Sequence, residues 1–231
     1  MIKIKNYSDR AEIFIYGDIV TDTEGSWMKI LDDGTVGYQY PEKIRKQLDE
    51  LKGLPIDVHI ASDGGDVAAG IAIYNMLNGH DAPVTVYIDS WAASIASFIA
   101  FAGQKIVMPE NTFLMIHNPK AGAFGDHVYL RSVADWLQKI RDMLAKTYAD
   151  FAPNWQEEEI MSKMDAETWL TALECAEMFR GKVELAPAND IQAVASLKTS
   201  FKNAPERVCA KNVDDNDLKN ILSVLEGAYR V

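Results

Sequence analysis

The stretch PIDVHIASDGGDVAAGIAIYNML, residues 55–77, decides the fold. Pro55–Ile60 is short, apolar and partly β-branched, and reads as a strand. It runs directly into Ser62-Asp63-Gly64-Gly65. Asp66–Leu77 then reads as a helix with Val67, Ile71, Tyr74 and Leu77 on one apolar stripe. A strand that passes through a glycine turn into a helix is the first half of a β-α-β crossover. The alternation continues downstream, with strands at Val84–Asp89, Lys105–Met108 and Thr112–Ile116 and a helix at Ala92–Ala102. Upstream, Glu12–Ile19 reads as a strand and Thr21–Tyr40, polar and without a sustained period, as a loop. Pro41–Leu51 reads as a helix with Ile44, Leu48 and Leu51 on one face. These units predict an α/β protein whose sheet is mostly parallel and covered by helices.

From about Gly125 the pattern turns helical. Val128–Phe151 carries Leu130, Val133, Leu137, Ile140, Leu144 and Tyr148 near helical spacing, and Pro153 ends it. Trp155–Met164 and Thr171–Phe179 read as two further helices. Beyond Asp190 the chain is polar and patchy, with one terminal helix expected at Leu218–Leu225. The expected organisation is one domain over residues 1–190, with a core at about 12–119 and a helical arm at about 125–153. A C-terminal extension over 191–231 follows.

Composition narrows the function. The chain has 231 residues, and its 34 Asp+Glu against 23 Lys+Arg give a net charge of −11. Such a surface repels phosphate backbones and anionic lipid, so neither nucleic acid nor a membrane is expected as a partner. Met1–Arg10 has no apolar core of a secretory signal, and Trp91–Gly103 is shorter than the roughly 18 residues of a spanning helix. Cys175 and Cys209 lack disulfide-scaffold and metal spacings, which fits a reducing, cytoplasmic setting.

Three segments could carry chemistry. Ser62-Asp63-Gly64-Gly65-Asp66 lies between strand and helix, where glycines bring backbone N–H groups close to an anion. The same residues also fit an ordinary turn with Asp66 as N-cap. Trp91-Ala92-Ala93-Ser94-Ile95-Ala96-Ser97 puts a serine among small neighbours at a strand-to-helix turn, as a nucleophile requires. Ser94 could equally be a small residue at a tight helix contact. Of four histidines, His59 lies inside a strand, His80 at a helix end and His127 near the start of the long helix. His117 ends an apolar strand at the sheet edge where α/β proteins build their sites, or else simply caps that strand.

Ile60–Val67, Ala92–Ala96 and Leu114–Pro119 resemble the three signature segments of the ClpP serine peptidases, in the same order. Met164-Asp165-Ala166-Glu167-Thr168-Trp169-Leu170-Thr171-Ala172 resembles the fourth, which carries the acidic residue. The wording is closest to the ClpP-like proteases of phages and prophages associated with head maturation. The resemblance implies a ClpP/crotonase-type fold of repeated β-β-α units with a helical arm. It implies Ser94 as nucleophile, His117 as general base and Glu167, or Asp165 two residues earlier, as the acidic member. Gly65 and Ile95 match the positions that form the oxyanion hole. The reaction implied is peptide-bond hydrolysis on a polypeptide substrate by a homo-oligomeric ring, a chemistry that needs no metal and no organic cofactor. An AAA+ unfoldase is the implied partner in the housekeeping branch, and phage capsid or scaffold protein the implied target in the phage branch.

Four features depart from the family pattern. Asp63 replaces a proline and sets a negative charge beside the expected oxyanion site. Trp91 stands where a small residue is common, the segment after Glu174 is longer, and the tail after Asp190 has no counterpart. Two other readings remain open from sequence: a crotonase-type acyl-CoA enzyme, and an inactive assembly protein that kept the fold.

Overall fold

A computed structural model describes residues 5–6, 9–31, 37–51, 53–188 and 203. The elements in chain order are β1 (Lys5–Asn6), β2 (Ala11–Tyr16), β3 (Asp18–Ile19), α1 (Asp22–Leu31), β4 (Tyr38–Gln39) and α2 (Pro41–Glu50). Then come β5 (Ile56–Ser62), α3 (Val67–Asn78), β6 (Val84–Ala93), α4 (Ile95–Ala100), β7 (Lys105–Pro109) and β8 (Phe113–Ile116). The last are α5 (His127–Asp150), α6 (Glu157–Asp165), β9 (Thr168–Thr171), α7 (Ala172–Met178) and β10 (Val183–Ala186).

Alternation of buried and half-buried residues along β2 and β5 marks strands with one face in the core and one turned outward. The main sheet runs β1-β2-β5-β6-β7-β10. β2, β5, β6, β7 and β10 are mutually parallel, as the crossovers dictate, and β1 is antiparallel to β2. Near its C-terminal end β6 changes partner. Thr85–Tyr87 pair with β7, whereas Trp91–Ala93 pair with β8, which in turn takes β9 antiparallel. At this fork β6 exchanges β7 for β8 while still paired with β5 through Ser62 and Ala92, just before Ser94. The core is built from Ile13, Ile15, Val58, Ile60, Val86 and Ile88 of the central strands, packed on Ile73, Leu77, Phe98 and Phe101. The C-terminal half of α5 joins it, with Leu144, Ala145 and Tyr148 buried and Ile140 partly buried against them.

On the outward face Phe14, His59 and Tyr87 sit in register on adjacent strands and stack at 5.0 Å centroid spacing. Asp89 accepts hydrogen bonds from the Tyr16 hydroxyl and lies 3.0 Å from His59 Nδ1. His80 donates from Nε2 to the Leu54 carbonyl at 2.9 Å. Both histidines therefore have structural work away from His117.

Several sequence expectations need correction. Residues 22–31 form a helix, not a loop. Thr21 and Glu24 cap one another there: the Thr21 hydroxyl accepts from Glu24 N–H, and the Glu24 carboxylate accepts from Thr21 N–H at 3.0 Å. The stripe on α3 is rotated, with Ala69, Gly70, Ile73 and Leu77 buried and Val67, Ile71 and Tyr74 only half-buried. The small residues face inward because α4 presses close; a Cβ on Gly70 would lie 2.2 Å from Ile95 Cγ1. Strand β6 extends to Ala93, so α4 starts at Ile95, not Ala92. The sheet also does not end near Pro119, since β9 and β10 add to it from beyond the arm. The helix expected at Leu218–Leu225, and Cys209, lie outside the described residues.

Candidate active site

Ser94 stands alone between β6 and α4 with φ 57° and ψ −130°. A non-glycine residue in this region is strained, and strain of this kind concentrates where a side chain must be thrust from a sharp strand-to-helix turn. Its amide donates to the Met115 carbonyl at 2.9 Å, extending the β6–β8 ladder by one step. His117 lies two residues beyond Met115, just past the end of β8. The ladder thereby sets the separation of the two side chains, and His117 Nε2 lies 2.7 Å from Ser94 Oγ.

Burial dominates the electrostatics of His117. Desolvation, with Lys120 as a second influence, pushes its pKa down from 6.5 to about 4, while Glu167 opposes the shift. At neutral pH the ring is uncharged, so Nε2 can accept the Ser94 proton when the ring proton resides on Nδ1.

β8 and β9 end their pairing at Ile116 with Thr168, so His117 follows and Glu167 precedes the last pair of the ladder. Glu167 has φ 51°, its side chain is only 7% exposed, and Lys120 Nζ donates to Oε2 at 3.2 Å. Asn203 donates its backbone N–H to Oε1 at 3.2 Å, and its side-chain amide donates to the Ala166 carbonyl at 2.6 Å. Asp165 turns the other way. Its side chain is 56% exposed and accepts from Arg141 Nη2 at 2.9 and 3.0 Å and from Asn118 Nδ2 at 2.8 Å.

The glycine turn completes the cradle. Ser62 Oγ donates to the Gly17 carbonyl at 2.6 Å and accepts from Gly64 N–H at 3.1 Å, bracing the turn from beneath. Gly64, at φ 96°, packs so closely that a Cβ there would lie 2.7 Å from Ser94 Cβ and 3.2 Å from Ile95 N. Gly65 forms a parallel bridge with Ile19, made by the amides of Ile19 and Asp66. Its own N–H therefore points to the opposite edge, the side on which Ser94 lies. A Cβ on Gly65 would sit 1.9 Å from the Ile19 carbonyl oxygen, so no side chain fits there.

Asp63 and Trp91, read from sequence as two separate departures, are partners. Trp91 Nε1 donates to Asp63 Oδ1 at 2.7 Å. The indole is buried with Ala93 and Met115 in a small cluster backed by Phe113 and Trp169. The Asp63 carboxylate is thus engaged by an indole N–H beside the glycine turn. Lys120 and Asn203 were not expected at the site, and only the fold brings them to Glu167. Among the described residues no group of three His, Cys, Asp or Glu side chains could hold a metal ion.

A histidine 2.7 Å from a strained serine at a strand-to-helix turn of an α/β protein is an arrangement suited to nucleophilic acyl transfer. The family model described as Clp protease matches residues 26–178, and the chain belongs to that family. The ATP-dependent Clp protease proteolytic subunit 2 of Treponema denticola is 33% identical over 156 residues, 64% of this chain and 77% of that protein. The ATP-dependent Clp protease proteolytic subunit of Leuconostoc citreum is 36% identical over 124 residues, covering 52% of this chain and 61% of its own length. In fold, the chain is similar to the ClpP1 N165D mutant from Listeria monocytogenes. That likeness has a TM-score of 0.61 and 23% identity and covers 80% of this chain and 94% of that one.

Proposed function

We propose that this chain is a serine endopeptidase in which Ser94 is the nucleophile, His117 the general base and Glu167 the acidic member. The observation that carries the reading is the 2.7 Å contact between His117 Nε2 and Ser94 Oγ at a strained turn. Attack forms the Oγ–C bond as the hydroxyl proton passes to Nε2. The same proton then goes to the leaving amine as the C–N bond breaks, and water releases the acyl group by the reverse sequence. The N–H groups of Gly65 and Ile95 receive the oxyanion. Glu167 orients the imidazole and offsets its charge when protonated.

The substrate in this reading is an unfolded polypeptide or, in the phage branch, capsid or scaffold protein. The setting is cytoplasmic, and an AAA+ unfoldase is the partner when the substrate must be unfolded. Assembly into a ring is supported by α5. Val128, Tyr129, Leu130, Trp136 and Met143 are exposed along it, and Tyr129, Val133, Trp136, Ile140 and Met143 follow the 4-3-4-3 spacing of a packing seam. Among the described residues no helix is long and apolar enough to cross a membrane. The acyl-CoA alternative gains no support, because that chemistry has no use for the Ser94–His117 pair.

Labelling with a fluorophosphonate probe, with the modified residue located by mass spectrometry, tests the reading. Modification of Ser94, and loss of peptide turnover by several orders of magnitude in Ser94→Ala, are expected. A wild-type protein that hydrolyses no unfolded polypeptide and reacts nowhere with the probe would return the chain to the inactive-assembly reading.

A further inference from the structure

Behind Ser94 runs a buried chain of hydroxyls that the triad does not use. The Ser94 carbonyl accepts two hydrogen bonds from Ser97, one from its backbone N–H at 3.0 Å and one from its Oγ at 2.6 Å. Ser97 Oγ lies 2.9 Å from the hydroxyl of Tyr148, and both residues are buried, Ser97 completely. The direction of this chain is fixed by chemistry. A carbonyl can only accept, so Ser97 spends its single proton on Ser94, and Tyr148 must donate to Ser97. Burial pushes the Tyr148 pKa up and keeps its donor proton in place.

The peptide between Ser94 and Ile95 is planar and trans, so the Ser94 carbonyl and the Ile95 N–H point in opposite directions within one rigid unit. Fixing the oxygen at one end fixes the N–H at the other. We propose that Ser97 and Tyr148 are positioning residues that aim and strengthen the Ile95 N–H as an oxyanion donor. Two hydrogen bonds on the carbonyl draw electron density from the amide nitrogen, and the Tyr148 donor polarises the chain further. Tyr148 belongs to α5 and is held by edge-on packing against Phe98 and Phe101, at 6.1 and 5.3 Å between centroids. The orientation of the donor peptide therefore depends on how the last turns of the arm seat on the core. This inference rests on the serine-peptidase reading above.

The test uses the full chain with Tyr148→Phe, which keeps the ring and removes only the hydroxyl, Ser97→Ala, and the double variant. Active sites are counted by fluorophosphonate titration, so misfolded protein does not enter the rates. A fluorogenic peptide gives kcat and KM, and a peptide boronate, whose tetrahedral adduct loads the oxyanion hole, gives an inhibition constant. Removing an oxyanion donor outright costs about 10²–10³ in kcat, and misaiming one should cost less. Tyr148→Phe is expected to lower kcat by about threefold to tenfold and Ser97→Ala by about tenfold to thirtyfold, with KM within about twofold. Boronate affinity should weaken by the same factors as kcat. The double variant should be no worse than Ser97→Ala, because Tyr148 acts only through Ser97. Unchanged kcat and boronate affinity in Tyr148→Phe, or losses that multiply in the double variant, overturn the proposal. A wild-type protein that the probe leaves unlabelled at Ser94 overturns the underlying function instead.

Discussion

Replacing Glu167 by Gln and Asp165 by Asn in separate variants puts the register of β8 against β9 to a kinetic test. Glu167 lies just beyond the Ile116–Thr168 pair, which His117 follows on the other strand, is buried, and raises the imidazole pKa. Removing its charge deprives the imidazolium of its counter-charge, and a neutral amide can favour the wrong ring tautomer. In a well-studied triad this change costs about 10⁴ in kcat. Here Lys120 and Asn203 already share the Glu167 carboxylate, which reduces the field it can exert on the ring. A loss of about 10²–10³ in kcat is expected, equivalent to about 3–4 kcal/mol of transition-state stabilisation. Asp165 offers only an exposed pair with Arg141, of a kind worth about 1 kcal/mol or less to stability. Asp165→Asn should therefore leave kcat within about twofold of wild type. Steady-state turnover of a fluorogenic peptide, with both variants checked for folding by circular dichroism, decides the matter. A greater loss in Asp165→Asn than in Glu167→Gln would refute the assignment.

The pH profile of kcat/KM should show an acid limb near pH 4, where His117 becomes protonated and can no longer accept from Ser94. Lys120→Ala removes a cation that depresses this pKa and should move the limb upward; a downward move would count against the electrostatic account. The same depression makes the His117 contribution to stability full above its ordinary value of 6.5 and lost as pH falls toward 4, which urea melts across that window would register. Trp91→Phe removes the indole donor to Asp63 and should destabilise the protein by about 1–2 kcal/mol in the same assay, with an unchanged midpoint as the contrary result. Light scattering should give a mass well above the 25.7 kDa of one chain, and Trp136→Asp, on the exposed face of α5, should lower it; a wild-type monomer at every micromolar concentration would remove the assembly reading.

Sequence periodicity revealed the alternating core because β2, β5, α3, β6 and α4 each bury their own pattern of side chains within a short local segment. It missed β9 and β10, four residues each, whose partners lie 52–58 and 77 positions away in the chain. That gap is also why Glu167 and Asp165 looked alike. An extended reading would put both on one face, but Asp165 ends α6 and Glu167, at φ 51°, lies in the turn before β9, which separates their surroundings. Residues 22–31 did carry a readable signal, the Thr21–Glu24 capping pair, but Gly25 and the polar run around it masked the helical period. Asp63 and Trp91 were visible as odd residues and not as partners, since a bond between neighbouring strands leaves no mark in the spacing of either. The nearness of Ser94 and His117 was legible for the opposite reason. Each ends a unit of its own, and parallel strands bring successive unit ends to one edge.

The hydrogen bond from the Ser94 amide to the Met115 carbonyl joins Ser94 to the strand that leads into His117. Any excursion that peels β8 from β6 therefore breaks this bond and displaces His117 in a single event. Exchange of the Ser94 amide proton with deuterium would time that event directly. Its protection factor gives the free energy of the smallest cooperative opening that switches the site off. In the serine-peptidase reading, loss of catalytic competence and fraying of one short strand pair are the same transition, and a ligand or assembly contact that clamps β8 would slow both together.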